Sequence, residues 1–267
     1  MYQRGKPTVF NVQADRLPVT IILLFTLLDF TVFLTVGSIW LLIAYFLLMI
    51  IPRACISAWN HHHQHRPVFK QTWLNRVLEF FYALHTGVTT NLWVLHHNFG
   101  HRRNFLDQSK DESRWKRKDG TTMGVLEYTL GVALTAYPRG FEVGKSYPKQ
   151  QKQYILFGNI TLLLVLALTL YNPVSALFVF ILPMITSLIY TSMATYKHHV
   201  GLDTQDQFSA SHNNLSKLYN ILTGNLGYHT AHHYKQGIHW SELPELHDKI
   251  KEYIPAECYT KPKFIFL

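Results

Sequence analysis

PVTIILLFTLLDFTVFLTVGSIWLLIAYFLLMIIPRACISAWNHHHQH, residues 18–65, is the stretch on which the fold turns. From Pro18 to Trp59 its only charges are Asp29 and Arg53. At ~20 residues per helical span this length makes two membrane crossings, with Gly37 and Ser38 as the turn between them. The run then ends in His61, His62, His63 and His65. Positions 61 and 65 stand four apart, so on a helix continuing out of the second span both imidazoles lie on one side. His62 and His63 point elsewhere.

A second apolar block, Tyr154 to Tyr196, carries no charge and is broken by Asn172 and Pro173. It reads as a second hairpin, which gives an all-α integral membrane protein with spans near 18–36, 39–58, 154–172 and 174–194. Of the 25 Lys and Arg residues, three precede the first hairpin (Arg4, Lys6, Arg16), fourteen lie between Arg66 and Lys152, and seven follow the second. The hairpin tips carry none, so the positive-inside rule puts both termini in the cytoplasm. The expected organisation is one domain over 1–267, a multi-pass protein of the bacterial cytoplasmic membrane whose cytoplasmic helical cap comprises 60–153 and 197–267. The first sixteen residues are polar, which does not fit a cleavable signal. Cys55 and Cys258 form no motif and are expected to stay reduced. The formal charge of +9 fits cations flanking spans and anionic headgroups, and no nucleic-acid partner is expected.

Between the hairpins, Trp73 to Trp93 and Val125 to Phe141 are apolar but interrupted by polar groups, the pattern of helices lying at the interface. The charged stretch Asp107 to Gly120 reads as a solvated loop. Asp29 sits inside a span and calls for a polar partner or a tunnel.

Twelve of the sixteen histidines fall into four clusters: the one ending the first hairpin; His96, His97 and His101; His198 and His199; and His229, His232 and His233. His97 and His101 repeat the four-residue separation. Separations of three, four and one in the last cluster place two or three ring nitrogens over a single metal-sized volume. Neighbours on a helix diverge by about 100°, so one of His198 and His199 is expected to ligate. About eight imidazoles exceed the four to six ligands of one first-row ion, so two metals are implied. Iron fits imidazole-rich, thiolate-free ligation for oxygen chemistry, although zinc, copper and nickel accept the same ligands. The solitary His85, His212, His239 and His247 are expected at the surface or in hydrogen bonds. Asn220, Asn225, Asp203 and Asp206 are candidates for orienting ligand rings.

A His-x-x-x-His box after a hairpin, a second such box, and His229-Thr-Ala-His-His233 after a second hairpin resemble the membrane fatty acid desaturase superfamily. That group includes acyl desaturases, alkane-type hydroxylases, carotenoid oxygenases and fatty acid decarboxylases forming terminal alkenes. The resemblance runs from about Asp29 to His247. It implies two Fe2+ ions with dioxygen as co-substrate, and metal ligands at His61, His65, His97, His101, His199, His229, His232 and His233. The stretch Thr195 to Leu202 resembles the family's extra ligand motif, which implies His199 rather than His198. Two residues depart from the pattern. Arg102 stands where a second histidine usually follows His101, so either a ligand is missing or His96 replaces it, and Thr195 stands where an Asn is often found.

The implied substrate is a fatty acyl chain in the bilayer, desaturated or, alternatively, hydroxylated or oxidatively decarboxylated. No Gly-x-Gly-x-x-Gly fingerprint or cysteine set for a cluster is present, so a separate electron donor of the ferredoxin, rubredoxin or cytochrome b5 type is expected on the basic face. A reading from another class, a histidine-rich metal transporter or sensor, meets the objection that Asp29 is the one acidic group within the spans.

Overall fold

The computed structural model describes residues 9–235 and 237–260. Arg4, Lys6, Lys261 and Lys263, which entered the charge count, lie outside the described residues. Nine helices of four residues or more organise the described chain: α1 (Arg16–Thr35), α2 (Ile39–His65), α3 (Thr72–Thr86), α4 (Val125–Gly144), α5 (Pro148–Tyr171), α6 (Pro173–His199), α7 (Lys217–Thr223), α8 (His229–Tyr234) and α9 (Leu243–Ile250). A π-helical segment, Val94–His101, lies between α3 and α4. Four helices, α1, α2, α5 and α6, are long and apolar enough to cross a membrane. Their outward Leu24, Leu27, Leu48, Leu162 and Leu170 are exposed, as lipid-facing side chains are.

The helices run further than hydropathy suggests. At 27 residues each, α2 and α6 are ~40 Å long, against ~30 Å of hydrocarbon. Main-chain hydrogen bonding continues through polar residues once a helix is nucleated, so both helices overhang the apolar layer at their C-terminal ends. Those overhangs carry His61 to His65 and His198 to His199. Because α1–α2 and α5–α6 are hairpins, both overhangs emerge on one membrane face. Asn172 sets the second turn by accepting the Ser175 N–H at 3.1 Å, and Pro173 follows as a first helical residue.

Between the spans, α3 packs on α2 and α6, burying Leu78 and Tyr82 while Trp73 and Val77 stay exposed. Helix α4 packs on α6 and leaves Leu126, Leu130 and Leu134 outside, a face suited to lipid. A small core of Ala231, Leu243, Ile250, Ile254 and Cys258 fixes α8 against α9.

Asp29 faces protein. Its carboxylate accepts from Arg53 Nη2 at 2.7 Å and from the Tyr45 hydroxyl at 2.6 Å, and lies 3.2 Å from His85 Nδ1. Thr26 bonds the other ring nitrogen of His85 at 2.9 Å, and Arg53 also donates to the Val179 carbonyl at 3.0 Å. This buried network ties α1, α2, α3 and α6 together. Removing one member strands the others in a low-dielectric interior, so Arg53→Met is expected to cost about 3–5 kcal/mol of stability. Thermal unfolding in detergent will read this, and an unchanged midpoint would contradict the pairing.

Candidate di-metal centre

The imidazoles converge from four elements. Helix α2 brings His61 and His65, the π-helical segment brings His97 and His101, α6 brings His199, and α8 brings His229, His232 and His233. They sort into two groups: His61, His65, His97 and His232, and His101, His199 and His233, each with one ring nitrogen per residue within 4.8 Å of the others.

The sorting departs from what spacing alone gives. His61 and His65 do share a side and stay in one group. His97 and His101, also four apart, are divided between the groups, although their rings lie only 5.1 Å apart. They occupy a π-helix, where Arg102 N–H bonds the His97 carbonyl five residues back at 2.7 Å. The wider turn places consecutive turns over both metal positions. The last cluster is divided too, because the adjacent His232 and His233 rings stand at 89° and face different groups. His229 lies outside the tight sets, but its Nε2 is 3.2 Å from His199 Nε2. His96 belongs to neither group and stacks against Trp93. His198 stacks on His229 at 3.8 Å between ring centres.

Hydrogen bonds fix the second group for a cation. Asp111 accepts from His101 Nδ1 at 2.8 Å and 2.9 Å, and the Ala210 carbonyl accepts from His199 Nδ1 at 3.0 Å. In neutral rings so engaged, each Nε2 presents a lone pair, and these two face each other at 3.3 Å. Facing lone pairs repel, and a metal ion between them removes the repulsion. Neither nitrogen of the buried His233 has a hydrogen-bond partner, and His65 and His97 are likewise unpartnered at Nε2. The residues present therefore fit a metal pair.

Burial holds His97, His229, His232 and His233 well below the ordinary 6.5, reinforced by the neighbouring imidazoles and, for His97, His232 and His233, by Arg102. Burial likewise takes His96 down to about 3. Neutral rings keep the lone pairs that metals need.

Asp111 is the residue that spacing missed. It sits inside the charge run read as a solvated loop, yet Asp111, Ser113 and Trp115 are buried. Gly100 makes the approach possible, since a Cβ there would meet Glu112 Cγ at 2.6 Å. The candidate orienting residues do other work. Asp203 pairs with Lys116, Asp206 accepts from Ser209, Asn220 accepts the Gly227 N–H, and Asn225 donates to the Trp240 carbonyl. Among the solitary histidines, His85, His212, His239 and His247 are all within hydrogen-bonding distance of a partner.

His62 faces away from both groups and bonds the Thr223 carbonyl at 3.0 Å. His62→Ala is expected to cost about 1–3 kcal/mol of stability while leaving metal content intact. His232→Ala, in contrast, should lower metal content while the protein still inserts. Metal analysis beside thermal unfolding separates the two, and metal loss in His62→Ala would contradict the grouping.

The depressed histidines also set a pH dependence. Below their ordinary 6.5 the unfolded chain binds protons that the folded chain refuses, so stability is lost as pH falls from there towards the folded values. The unfolding midpoint is expected to be level above about pH 7 and to fall below about pH 6. A midpoint independent of pH across that range would rule the buried neutral rings out.

Residues 37–262 match the protein family described as Fatty acid desaturase. Comparisons with curated proteins and with solved structures each gave no match. The match spans both overhanging helices and every imidazole of the two groups, and so the chain belongs to the fatty acid desaturase family of membrane di-iron oxidoreductases.

Proposed function

We propose that this chain desaturates a fatty acyl chain drawn from the bilayer. A –CH2–CH2– unit becomes –CH=CH–, and its two hydrogens, two further protons and two electrons from a separate donor leave with dioxygen as two waters. A pair of iron ions, when bound, supplies the oxidising power that no side chain has for an unactivated C–H bond.

The observation that carries this reading is a mostly apolar slot between α2 and α6. Ala54, Ser57 and Ala58 line it from α2, and Thr191, Ala194 and Thr195 from α6. It reaches His61 and His97 of the first group and His199 of the second. Tyr190, Tyr219 and Leu226 line it as well, so the free space is about 30 Å³ and a methylene chain would enter as these side chains move aside. The helices bearing the slot cross the membrane, so the substrate would not have to enter water. We assign His61, His65, His97 and His232 to one iron and His101, His199 and His233 to the other, with His229 completing the second. Asp111 and the Ala210 carbonyl hold their rings in the tautomer that aims Nε2 inward.

Electrons are proposed to enter from the basic loop. A surface groove lined by Arg114, Lys116, Arg117 and Lys118, with Asp107 and Asp203 also on it, adjoins Phe105, whose ring centre lies 4.5 Å from that of His233. An acidic ferredoxin, rubredoxin or cytochrome b5 type of donor suits that charge. The same cations favour the cytoplasmic side for the cap and both termini. Against a transporter stands the closed Asp29–Arg53–His85 network, which offers an ion no path.

Expression in a host fed defined saturated fatty acids, with gas chromatography of the products and metal analysis of the purified protein, tests the proposal. The expected result is new monounsaturated acids and bound iron, both lost in His232→Ala. Hydroxylated acids or terminal alkenes in their place would overturn desaturation, and full zinc without iron after iron-replete growth would overturn the iron centre.

A further inference from the structure

Arg102 is a buried guanidinium whose hydrogen bonds to ring nitrogens all fall in one of the two groups. Nη1 donates to His65 Nδ1 at 3.3 Å and to His232 Nε2 at 3.4 Å. Nη2 donates to the His232 carbonyl and, at 3.2 Å, to the His233 carbonyl. A guanidinium has only donors, so the ring nitrogens it meets must be acceptors. The consequences at the two rings differ. At His232 the lone pair that a metal would use is already engaged. At His65, acceptance at Nδ1 leaves the proton of the neutral ring on Nε2, the atom that has no other partner.

The second group is arranged the opposite way. The Nδ1 protons of His101 and His199 go to Asp111 and to the Ala210 carbonyl, and their Nε2 lone pairs converge with no guanidinium on them. In the first group His61 Nε2 also approaches His232 Nε2, at 3.0 Å, but there Arg102 is a competing donor. Arg102 makes no hydrogen bond to a ring nitrogen of His101, His199 or His233. Its donors there reach only the His233 main chain. One position is therefore prepared for a cation, while the other holds a fixed positive charge on two of its four rings.

We propose that Arg102 makes the two metal positions unequal: the His101, His199 and His233 position fills first, and the His61, His65, His97 and His232 position fills only as the guanidinium gives up His65 and His232. This rests on the di-metal reading above. Arg102 is then a positioning residue that sets the order and spread of metal affinities. Its bonds to the carbonyls of His232 and His233 keep it attached to the end of α8 when it releases the rings.

The test uses full-length, metal-stripped protein in detergent, titrated with Co2+ against a chromogenic chelator. Wild type should take up two ions in two steps, the second weaker by about tenfold or more, the scale expected for a charge this close to a divalent ion. Arg102→Gln, which keeps a donor and loses the charge, should bring the second step to within about threefold of the first by strengthening it. Arg102→Lys should preserve the gap. In the wild-type background, His199→Ala should remove the tight step and His65→Ala the weak one.

Two equal steps in wild type, an unchanged gap in Arg102→Gln, or a swapped assignment of the steps would overturn the proposal. Weakening of both steps together in Arg102→Gln would mean that Arg102 only braces α8, and would overturn it as well. Binding of fewer than two ions by wild type and by every variant would instead remove the di-metal reading, and this proposal with it.

Discussion

Neutral imidazole rings taken out of water and turned lone pair to lone pair repel one another unless a cation lies among them. Nε2 of His101 and of His199 face each other at 3.3 Å with both Nδ1 atoms already engaged, so the repulsion is built into the native arrangement. Holding such a set together requires stability from elsewhere, and the described structure shows where it comes from. The Asp29–Arg53 network locks the hairpins to each other, the small core under α8 fixes the third box, and Gly100 lets the loop with Asp111 close on the second.

The membrane does two jobs in this arrangement. It fixes the direction of α2 and α6, because their apolar lengths must match the hydrocarbon layer, and so it fixes where their surplus turns emerge. On the proposed reading it also supplies the substrate, because the slot between the same two helices lies at their histidine-bearing ends and reaches the rings carried by the surplus turns. A site built on the overhang of a span meets an acyl chain at the depth where that chain already lies.

Much of this was legible in the residues themselves. Two uncharged runs with turn residues at their centres gave the hairpins, and His61 with His65 on one helical face gave half of a metal position. The limits of legibility are as informative. Asp111 lies in a run of charges that reads as a solvated loop, and the close approach of Glu112 to Gly100, with Tyr128 bonding the Ser113 carbonyl, brings it to His101. The division of His97 from His101 needed the π-helical turn, which has no reliable local signature, since it arises where tertiary packing stretches a helix. His96, offered by spacing as a substitute ligand, lies outside both groups, which only the placement of the π-helical segment could show.

Sequence by itself determined the spans, the face on which the histidines gather, the ligand chemistry and the family, because each follows from local periodicity or from residue type. Tertiary structure alone decided which rings gather in which group. Adjacent residues such as His232 and His233 leave the helix about 100° apart, and only the positions of α2, α6 and the π-helical segment around them say where each ring ends. It also decided the meaning of Arg102. As a letter it is a missing histidine; as a side chain it is a charge whose donors meet the rings of His65 and His232 and no ring nitrogen of the other group.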